Sequence, residues 1–580
     1  MRLLQDDPVD APGGSLRAVS TPPPTVRELA DRHRLDLRSS RPGHDSTAPA
    51  VPPAPVAPAA PAVPADAADL PVIGVSLDSR RAGRGQLWAA LPGARTHGAR
   101  FAAQALDAGA AAVLTDPEGA ALVQAAAVGR DVPLLVTDAP RERLGPVAAD
   151  VHGHPSDQLA LIGVTGTNGK TTVTSLIDEL LRSLGATTGL IGTIRSRVGA
   201  QELASRFTTP EAPDLQALLR RMVDAGCSVA TTEVSSHALD QHRVDGTRFA
   251  LVVFTNLSRD HLDYHGTLAA YFAAKLRLFT GGFAPAAVVA VDDAWGHRVA
   301  GLAREAGLRV LTVGTVTSSP GRRGTAPDVG VRVERVEASG AQHVELEGPF
   351  GAGGETETLR VDLGMPGPFN AVNAALAIAS VHLLTGGSPG VPAVDLGRAV
   401  TARELAGLVG ALPGVPGRME RVLLPGQDGC PLVVVDYAHS PDAVAGAVAA
   451  LRGATPGRLV VVLGAGGDRD QGKRTAMGAA ASAADLVVVT DDNPRTEDPA
   501  VIRAAVLAGV TVEHVEVGDR AEAVRVALQR CDDASDTVLL AGKGHETGQD
   551  VDGEVAPFDD REVARAALAG WLAGRPGARS

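Results

Sequence analysis

The feature that most constrains the fold is a regular alternation of strands and helices in the last third of the chain. Five short runs rich in Val and Leu, the first at LVVVDYAHS and the last at TVLLAGKGHE, are separated by segments typical of helices. Strands that are apolar on both faces and alternate with helices indicate a doubly wound, Rossmann-like parallel sheet. Because ligands of such sheets lie beyond the carboxyl ends of the strands, we expect the polar residues that follow each run to bind ligands.

The rest of the chain divides into two further α/β blocks and a low-complexity start. A chain of 580 residues is too long for a single core. Residues 1–68 are rich in Pro and Ala, so we predict a disordered tail of unassigned function. We then expect a small domain over 69–157, a central domain over 158–415 and the Rossmann-like domain over 416–580. The predicted fold class is therefore α/β with three domains.

Composition excludes several classes of protein. The net charge of −13 argues against a protein that coats nucleic acid. The three cysteines are far apart and lack CxxC spacing, which predicts neither a disulfide framework nor a zinc site. There is no long apolar run, and the start MRLLQDDPVD lacks the apolar segment of a signal peptide. We therefore expect a cytoplasmic protein, a monomer, that neither binds nucleic acid nor inserts into a membrane.

The stretch ALIGVTGTNGKTTVTSLIDELL predicts a phosphate-binding loop between a buried strand and an amphipathic helix. Its glycines allow backbone N–H groups to converge on phosphate oxygens at the positive end of the helix. Lys170 would reach the terminal phosphates, and the Thr171 hydroxyl would ligate Mg²⁺. Val164 stands where the strict template has its first glycine, so the loop is a variant. The motif predicts binding of a nucleoside triphosphate.

Two polar clusters at predicted strand ends indicate a magnesium site beside this loop. The strand in TTEVSSHALDQHR places Glu233 at its carboxyl end, where a second metal ligand is expected. The second cluster, in VFTNLSRDHLDYHG, comprises Asn256, Asp260, His261, Asp263 and His265. Carboxylate oxygens suit Mg²⁺, whereas the imidazole of His261 is typical of softer metals. Taken alone, either cluster would be interpreted as a solvated loop, but together, beside a phosphate loop, they favour a magnesium site.

Lysine is scarce in this chain, which makes each lysine informative. Of 54 basic residues only four are lysines, namely Lys170, Lys275, Lys473 and Lys543. A position that keeps lysine indicates a need for a compact ammonium group, or for an amine that can lose its proton and react. Lys275 lies on a predicted helix in YFAAKLRLF and not in a glycine-rich loop, and the alternative there is a lysine that only extends to solvent. No role can be assigned to Lys473 or Lys543.

Ten motifs occur in one order and together resemble the Mur ligases. They are TGTNGKTT, TTPE, EVSSHALDQHR, NLSRDHLDYHG with a following AAK, GPFNAVNAALA, GRMERV, DYAHSPDA, GGDRDQGKR, DNPRTEDP and AGKGHE. The resemblance covers residues 70–570 and is specific to the ligases that add the third amino acid to UDP-MurNAc-L-Ala-D-Glu. It implies an ATP-dependent amide ligase of peptidoglycan synthesis, and hence of cell shape and division. In this family ATP phosphorylates the substrate carboxylate, and the incoming amine then attacks the acyl phosphate.

The resemblance also explains Lys275. In the family, the lysine at this position carries CO₂ as a carbamate, which a neutral amine can form and a guanidinium cannot. The carbamate (N6-carboxylysine) would be an anionic ligand for a second Mg²⁺ ion during phosphoryl transfer. The implied catalytic residues are Lys170, His261 and Lys275. The implied metal ligands are Thr171, Glu233, His261 and the carbamate of Lys275.

Further contacts are implied position by position. For ATP they are Gly166, Thr167, Asn168, Gly169, Lys170, Thr171, Thr172, Asn373, Arg418 and Asp436, with His439 nearby. For the UDP-MurNAc dipeptide they are Leu77, Ser79, Ala94, Arg95, Thr96, Thr208, Thr209, Ser235, Gln241 and Arg243.

The third substrate is implied by the DNPR motif. Diaminopimelate carries one carboxylate more than lysine, and a carboxylate is well matched by a bidentate arginine. The arginine of DNPR, Arg495, is typical of the diaminopimelate-adding ligases and is missing from the lysine-adding ones. Arg469 would be a second carboxylate clamp. The residues implied to bind meso-diaminopimelate are Arg469, Asp492, Asn493, Pro494, Arg495, Gly542 and Glu546.

Three alternatives stay open at the level of sequence. The acceptor could be L-lysine, or the chain could be a sister ligase such as a folylpolyglutamate synthase. A protein of a different class, a P-loop nucleotide-binding regulator without ligase activity, would also carry the phosphate loop. SSHALDQHR and DNPR favour the diaminopimelate-adding ligase.

Overall fold

The computed structural model contains three large sheets that follow one another along the chain, and a separate two-stranded hairpin near the end of the described residues. Each sheet is built from one continuous section of sequence, so the three-domain α/β class predicted above is confirmed. The structure describes residues 22–40, 65–127, 129–205, 207–316, 326–386, 391–424, 429–468 and 470–573.

The first sheet has five strands in the order β1-β5-β4-β3-β2. Strands β2 to β5 are parallel, and β1 pairs antiparallel with β5 at one edge. The elements are α1 (Val26–His33), β1 (Asp36–Ser39), α2 (Ala65–Ala68), β2 (Gly74–Ser76), β3 (Gln86–Ala90), α3 (Ala102–Ala108), β4 (Ala112–Thr115), α4 (Pro117–Ala126), β5 (Pro133–Val136) and α5 (Pro140–Val151).

Part of the predicted tail belongs to this first domain, so the prediction of disorder over residues 1–68 is wrong for α1 and β1. Helix α1 begins with a capping box in which Thr25 and Glu28 satisfy each other's backbone N–H groups. Leu29 is fully buried in the core of the domain. The prediction rested on the Pro/Ala-rich composition of this part of the chain, which does not reveal a short buried helix. Residues 1–21 and 41–64 lie outside the described residues.

The central sheet has eleven strands in the order β16-β15-β14-β13-β12-β11-β6-β10-β7-β8-β9. Its middle is parallel, and antiparallel pairs close both edges, including the hairpin of β14 and β15. The elements are β6 (Ala160–Thr165), α6 (Lys170–Ser183), β7 (Thr188–Ile191), β8 (Ser196–Val198), β9 (Gln201–Leu203), α7 (Ala212–Asp224), β10 (Val229–Glu233), α8 (Ser236–Asp240), β11 (Leu251–Phe254), α9 (Leu262–His265), α10 (Leu268–Thr280), β12 (Ala286–Ala290), α11 (Ala294–Glu305), β13 (Arg309–Thr315), β14 (Val329–Val336), β15 (Gln342–Gly348), β16 (Glu357–Leu363), α12 (Pro368–Thr385) and α13 (Ala402–Ala411).

Helix α12 is apolar on all sides because it is a core helix. Within the described part of the chain it is the one helix long and apolar enough to cross a bilayer, but 78% of its apolar window is buried inside the protein. It packs against α6 and the central sheet, in the largest apolar cluster of the molecule. Its hydrophobicity is therefore accounted for by the fold.

The third sheet has six strands in the order β17-β18-β22-β19-β20-β21, and all but β17 are parallel. This confirms the predicted alternation, and the carboxyl ends of the parallel strands share one edge. The elements are β17 (Glu420–Val422), β18 (Leu432–Asp436), α14 (Pro441–Arg452), β19 (Leu459–Leu463), α15 (Lys473–Ala481), β20 (Leu486–Val489), α16 (Pro499–Leu507), β21 (Glu513–Glu516), α17 (Arg520–Gln529), β22 (Thr537–Ala541), β23 (Gly548–Val551), β24 (Glu554–Pro557) and α18 (Asp560–Ala573).

Candidate active site

The phosphate loop joins β6 directly to α6, as the sequence predicts. Gly169 immediately precedes the helix with a φ of +85°, a backbone conformation that glycine adopts without strain. A Cβ atom at this position would lie 2.7 Å from Oδ1 of Asn373. The structure thus places Asn373, predicted to contact ATP, against the loop.

The end of β11 fixes the shape of the loop. Asn256 Oδ1 accepts a hydrogen bond from the backbone N–H of Asn168 at 2.9 Å, and Thr255 Oγ1 donates to the Asn168 carbonyl at 2.5 Å. The backbone N–H of Thr167 donates to the Asn256 carbonyl at 2.9 Å. These bonds hold the loop ready for phosphate, and Thr255 is a participant that sequence reasoning missed.

Glu233 lies buried at the carboxyl end of β10, beside the start of α6. Its carboxylate accepts hydrogen bonds from Thr171 Oγ1 at 3.1 Å and from the backbone N–H of Thr193 at 2.7 Å. Arg418, from the third domain, donates to the same Thr171 hydroxyl at 3.1 Å. Hydroxyl and carboxylate oxygens this close together fit the ligand preference of Mg²⁺. Thr193 was not predicted, and nothing in the sequence distinguishes it from other threonines.

Lys275 is buried, with 1% of the residue exposed, so it does not extend to solvent. Its Nζ donates to the Gly166 carbonyl at 2.7 Å, and Lys170 Nζ donates to the same carbonyl at 3.0 Å. Burial lowers the pKa of Lys275 well below its usual value, and the charge of Lys170 lowers it further, whereas Asp260 acts in the opposite direction. An uncharged amine, which carbamate formation requires, is thereby favoured.

Tyr271 forms the wall of the Lys275 site. The ammonium nitrogen lies 4.6 Å from the centre of the Tyr271 ring, and the Tyr271 hydroxyl is 3.1 Å from Thr167 Oγ1. Tyr271 was missed from the sequence, although a signal existed. It is one of three tyrosines in the chain and lies four residues before Lys275, on the same face of a helix.

His261 lies on the same side of the loop, just before α9, and its side chain is 45% exposed. Its ring centre is 6.1 Å from that of Tyr271 and 4.9 Å from that of His237. Burial lowers its pKa, and the charge of Lys170 lowers it further, against the attraction of Asp260, so the neutral imidazole is favoured. The described residues contain no group of three His, Cys, Asp or Glu side chains that could hold a metal. The predicted ligand set therefore depends on the threonine hydroxyl and the carbamate.

The residues predicted to bind the dipeptide form one network next to Glu233. Thr209 Oγ1 donates to the Glu233 carbonyl at 2.8 Å and accepts from the backbone N–H of Ser235 at 3.0 Å. Arg243 donates to Gln241 Oε1 at 2.6 Å and to the Thr209 carbonyl at 3.1 Å. The structure thus brings together all five predicted dipeptide residues of this domain, Thr208, Thr209, Ser235, Gln241 and Arg243.

The residues predicted to bind the UDP-sugar lie in the first domain. Leu77 packs against the core, and Ser79 donates to Gln104 Oε1 at 2.8 Å. Arg141, on α5, donates to the Gln241 carbonyl at 3.3 Å and so connects this domain to the dipeptide network. The other three predicted residues form an exposed turn, and their sugar contacts stay a prediction: Ala94, Arg95 and Thr96.

The predicted nucleotide contacts of the third domain surround Arg418. The guanidinium of Arg418 lies 4.6 Å from the centre of the Tyr437 ring, and the Asp436 carboxylate accepts from the backbone N–H of Met419 at 2.8 Å. Burial raises the pKa of Asp436, against the effect of Arg418, and burial lowers the pKa of His439. His439 Nδ1 is 2.8 Å from the Tyr437 carbonyl.

The predicted amino-acid site lies at the carboxyl ends of β20 and β22. Asn493 Nδ2 donates to Glu546 Oε2 at 2.8 Å. A Cβ atom on Gly542, whose φ is +119°, would come 2.8 Å from Asp492 Oδ2, so only glycine allows this close approach. Arg495 has a φ of +53° and donates to the Gly467 carbonyl at 2.5 Å. Pro494 lies between Asn493 and Arg495 in the chain. Arg469 lies outside the described residues.

Three family models match the chain in the order of its three sheets. The Mur ligase family, catalytic domain, matches residues 71–147, the Mur ligase middle domain matches 164–381, and the Mur ligase, glutamate ligase domain, matches 417–544. The fold and the matched segments define the class of this protein. The chain belongs to the Mur ligase family.

Relatives within the family are similar over most of the chain. The UDP-N-acetylmuramoyl-L-alanyl-D-glutamate--2,6-diaminopimelate ligase of Streptomyces coelicolor is 46% identical over 507 residues, which is 86% of this chain and 92% of the relative. The ligase of the same name from Corynebacterium glutamicum is 44% identical over 495 residues, covering 83% and 89%.

Solved structures agree with this assignment. A structure of a UDP-N-acetylmuramoyl-L-alanyl-D-glutamate--2,6-diaminopimelate ligase matches with a TM-score of 0.59 at 33% identity, covering 86% of this chain and 95% of that chain. MurF ligase of Thermotoga maritima in complex with ADP matches with a TM-score of 0.55 at 18% identity, covering 87% and 98%. The second match shows the fold alone.

Proposed function

We propose that this chain is the ATP-dependent ligase that joins meso-diaminopimelate to the D-Glu of UDP-MurNAc-L-Ala-D-Glu in the cytoplasm, in peptidoglycan precursor synthesis. The observation that carries the proposal is the contact between Arg418 and Thr171. It joins the domain that carries the DNPR motif to the phosphate loop, which supports an active site shared between these two domains. Relatives that bear this enzyme name match the chain at about 45% identity over most of its length.

The chemistry divides between the phosphate loop and the dipeptide network. Lys170, which now donates to loop carbonyls, would turn to the phosphate oxygens when ATP binds. The side-chain carboxylate of D-Glu, held beside Thr209 and Arg243, attacks the γ-phosphorus, and ADP leaves. The amine of the acceptor then attacks the acyl carbon, phosphate departs with the bonding electrons, and the amine loses a proton as the amide forms.

One Mg²⁺ ion would be held by Thr171 and Glu233, and a second ion would be held by His261 and by Lys275 as its carbamate. Bound Mg²⁺ would offset the repulsion between the anionic carboxylate and the γ-phosphate. The support for the carbamate is the buried, electrostatically disfavoured ammonium of Lys275. The support for Glu233 as a ligand is its position, 3.1 Å from the hydroxyl of Thr171.

We propose diaminopimelate as the acceptor because two arginines, Arg495 of the DNPR motif and Arg469, could bind its carboxylates. Its guanidinium would bind the carboxylate that L-lysine lacks, with Arg469 as a second clamp. The amide of Asn493 and the carboxylate of Glu546 would bind the amino end. Gly542 would allow the acceptor to approach the end of β22 closely.

We further propose a monomer that does not insert into the membrane, because one chain supplies every proposed contact. Light scattering during size exclusion, with and without substrates, would measure the molecular mass and so test the monomer.

We propose that the first domain contacts the UDP-sugar through the exposed turn 94–96. The proposed domain boundaries lie near residues 157 and 415, and residues 22–40 belong to the first domain.

A substrate-omission assay tests the function. Purified enzyme with ATP, UDP-MurNAc-L-Ala-D-Glu and meso-diaminopimelate should release ADP and form the tripeptide product, and omission of any one substrate should abolish both. Replacing meso-diaminopimelate by L-lysine should reduce turnover severely. Preferential use of L-lysine would identify the alternative acceptor. Nucleotide binding without product under any combination would identify the chain as a regulator rather than a ligase.

A further inference from the structure

Lys543 is completely buried at the back of the predicted amino-acid site. None of its surface is exposed, although it carries a charge. Its Nζ lies 2.9 Å from Asn493 Oδ1, 3.5 Å from Glu546 Oε2 and 3.6 Å from Asp492 Oδ1. Each of these three partners is a residue proposed to bind the acceptor. A buried charge whose polar contacts are with three proposed binding residues, with the Phe558 ring centre 5.9 Å away, is placed to organise those residues.

The hydrogen bonds fix the orientation of the Asn493 amide. Its Oδ1 accepts from Lys543 Nζ and also from the backbone N–H of Asp550 at 3.1 Å. With Oδ1 occupied by two donors, Nδ2 is turned towards Glu546, to which it donates at 2.8 Å. Without the ammonium of Lys543, the amide would lose one of the two donors that determine which of its ends faces Glu546.

The local charge balance is set by the same lysine. Asp492 and Glu546 bring two carboxylates to one ammonium, and the nearby Arg520 is itself paired with Asp560, so the group keeps one net negative charge. Asp492 Oδ1 is buried and accepts no hydrogen bond from the described residues, so the nearby ammonium is its compensation. The remaining negative charge suits an incoming ammonium group, and it would be doubled if Lys543 were neutral.

We propose that Lys543 is a positioning and specificity residue that holds Asn493 and Glu546 so that this site accepts the ammonium end of the acceptor amino acid. This inference rests on the proposed ligase function. A guanidinium could not replace it, because a planar group with five donors would meet three acceptors in a space closed to solvent. The retention of lysine in a chain with 50 arginines agrees with that restriction.

Two substitutions of different severity test the proposal. Lys543→Met keeps the length of the side chain and removes the charge, whereas Lys543→Arg keeps the charge and changes the shape. Arg458→Met is the matched control, because it removes a cation from the same domain at a surface ion pair with Glu513. For each enzyme the KM for meso-diaminopimelate, the KM for ATP, kcat and the melting temperature are measured.

Both Lys543 variants should raise the KM for meso-diaminopimelate at least tenfold and leave the KM for ATP within twofold of wild type. Glu546→Gln should raise it too, and adding it to Lys543→Met should have less than the multiplied effect, since both act on one contact. An unchanged KM for meso-diaminopimelate, an equal rise for ATP, or failure of both Lys543 variants to fold would overturn the proposal. Absence of product from wild type would instead count against the ligase function itself.

Discussion

At the scale of single residues, the identity of a side chain is informative here because the chain uses lysine so rarely. Lys170, Lys275 and Lys543 are all placed among backbone or side-chain acceptors and not at the surface. Burial makes the ammonium costly, so each must be offset by hydrogen bonds or must lose its proton. Lys543 is offset by carboxylates, whereas Lys275 shares one carbonyl with a second ammonium.

Replacement of Lys275 by arginine should lower kcat at least about 100-fold, because a guanidinium cannot form the carbamate that would bind the second metal. ATP binding should stay close to wild type if the role is chemical, whereas the buried guanidinium, which cannot lose its proton, should lower the melting temperature. Small carboxylates should partly restore turnover to Lys275→Ala. Enzyme exchanged into ¹³C-bicarbonate should give a carbamate signal that Lys275→Arg lacks. A fully active arginine variant would contradict the carbamate role.

Replacement of Arg495 by alanine should raise the KM for meso-diaminopimelate about tenfold or more, the worth of a hydrogen bond to a charged group, with little effect on ATP. The matched control is Arg530→Ala, which removes an exposed arginine paired with Glu513 in the same domain. Steady-state kinetics with each substrate varied in turn would separate the two effects. An unchanged KM for meso-diaminopimelate would remove Arg495 from the acceptor site.

At the scale of elements, the strand–loop–helix unit of β6 and α6 is the part in which local sequence and tertiary contacts agree most closely. The loop glycines permit the turn, and the end of β11 fixes it through Thr255 and Asn256. In helix α10, too, local spacing and tertiary contacts agree, since Tyr271 and Lys275 lie on one helical face and contact each other. Lys275, the proposed carbamate residue, is thus held by a regular helix.

Replacement of Gly169 by alanine should weaken ATP binding and lower the melting temperature, because its φ of +85° is strained for other residues and the new Cβ would meet Asn373. The cost should be about 1 kcal/mol or more. Gly301, inside α11 with open space around it, is the control position. Gly301→Ala should leave ATP binding unchanged and raise stability by up to about 1 kcal/mol. Calorimetric ATP titration of both variants provides the comparison, and wild-type affinity in Gly169→Ala would refute the close packing.

At the scale of the whole molecule, contacts between domains complete the site. Arg418 of the third domain reaches Thr171, and Arg141 of the first reaches the dipeptide network of the second. Partly buried histidines also make stability depend on pH. Burial, with a neighbouring arginine, lowers the pKa of His152 to about 4 and that of His545 to about 4.

The molecule should therefore become less stable as the pH falls. Because these folded-state pKa values lie below the unfolded value of about 6.5, the unfolded chain binds protons first, and stability is lost between about pH 6.5 and 4. We expect a loss of roughly 1 kcal/mol per histidine at about pH 5.5, measured by urea unfolding. His152→Gln should reduce this pH dependence, whereas His514→Gln, at an exposed position, should not. If the free energy of unfolding changed with pH to the same extent in both variants, His152 would not be the source of this pH dependence.

Local sequence patterns are sufficient to predict the element pattern and to choose most of the candidate site residues. The apolar strands of the third sheet, the phosphate loop, Glu233, Lys275 and the DNPR motif could all be predicted. These features are local, since periodicity, backbone freedom and the chemistry of one side chain are properties of short segments. One local prediction was wrong, because the Pro/Ala-rich surroundings concealed α1 and β1.

The tertiary structure is needed to establish which side chains lie in one site, and how burial and neighbouring charges change their pKa values and orientations. The local sequence does not mark Thr193 or Thr255 as site residues, and it marks Tyr271 only weakly. In the folded protein these three residues contact Glu233, the phosphate loop and Lys275, respectively. The role of Lys543 and the contact between Arg418 and Thr171 depend on residues far apart in the chain. Burial and the charge of a neighbour arise only when distant segments pack together, so the pKa of Lys275 and the orientation of Asn493 belong to the folded molecule.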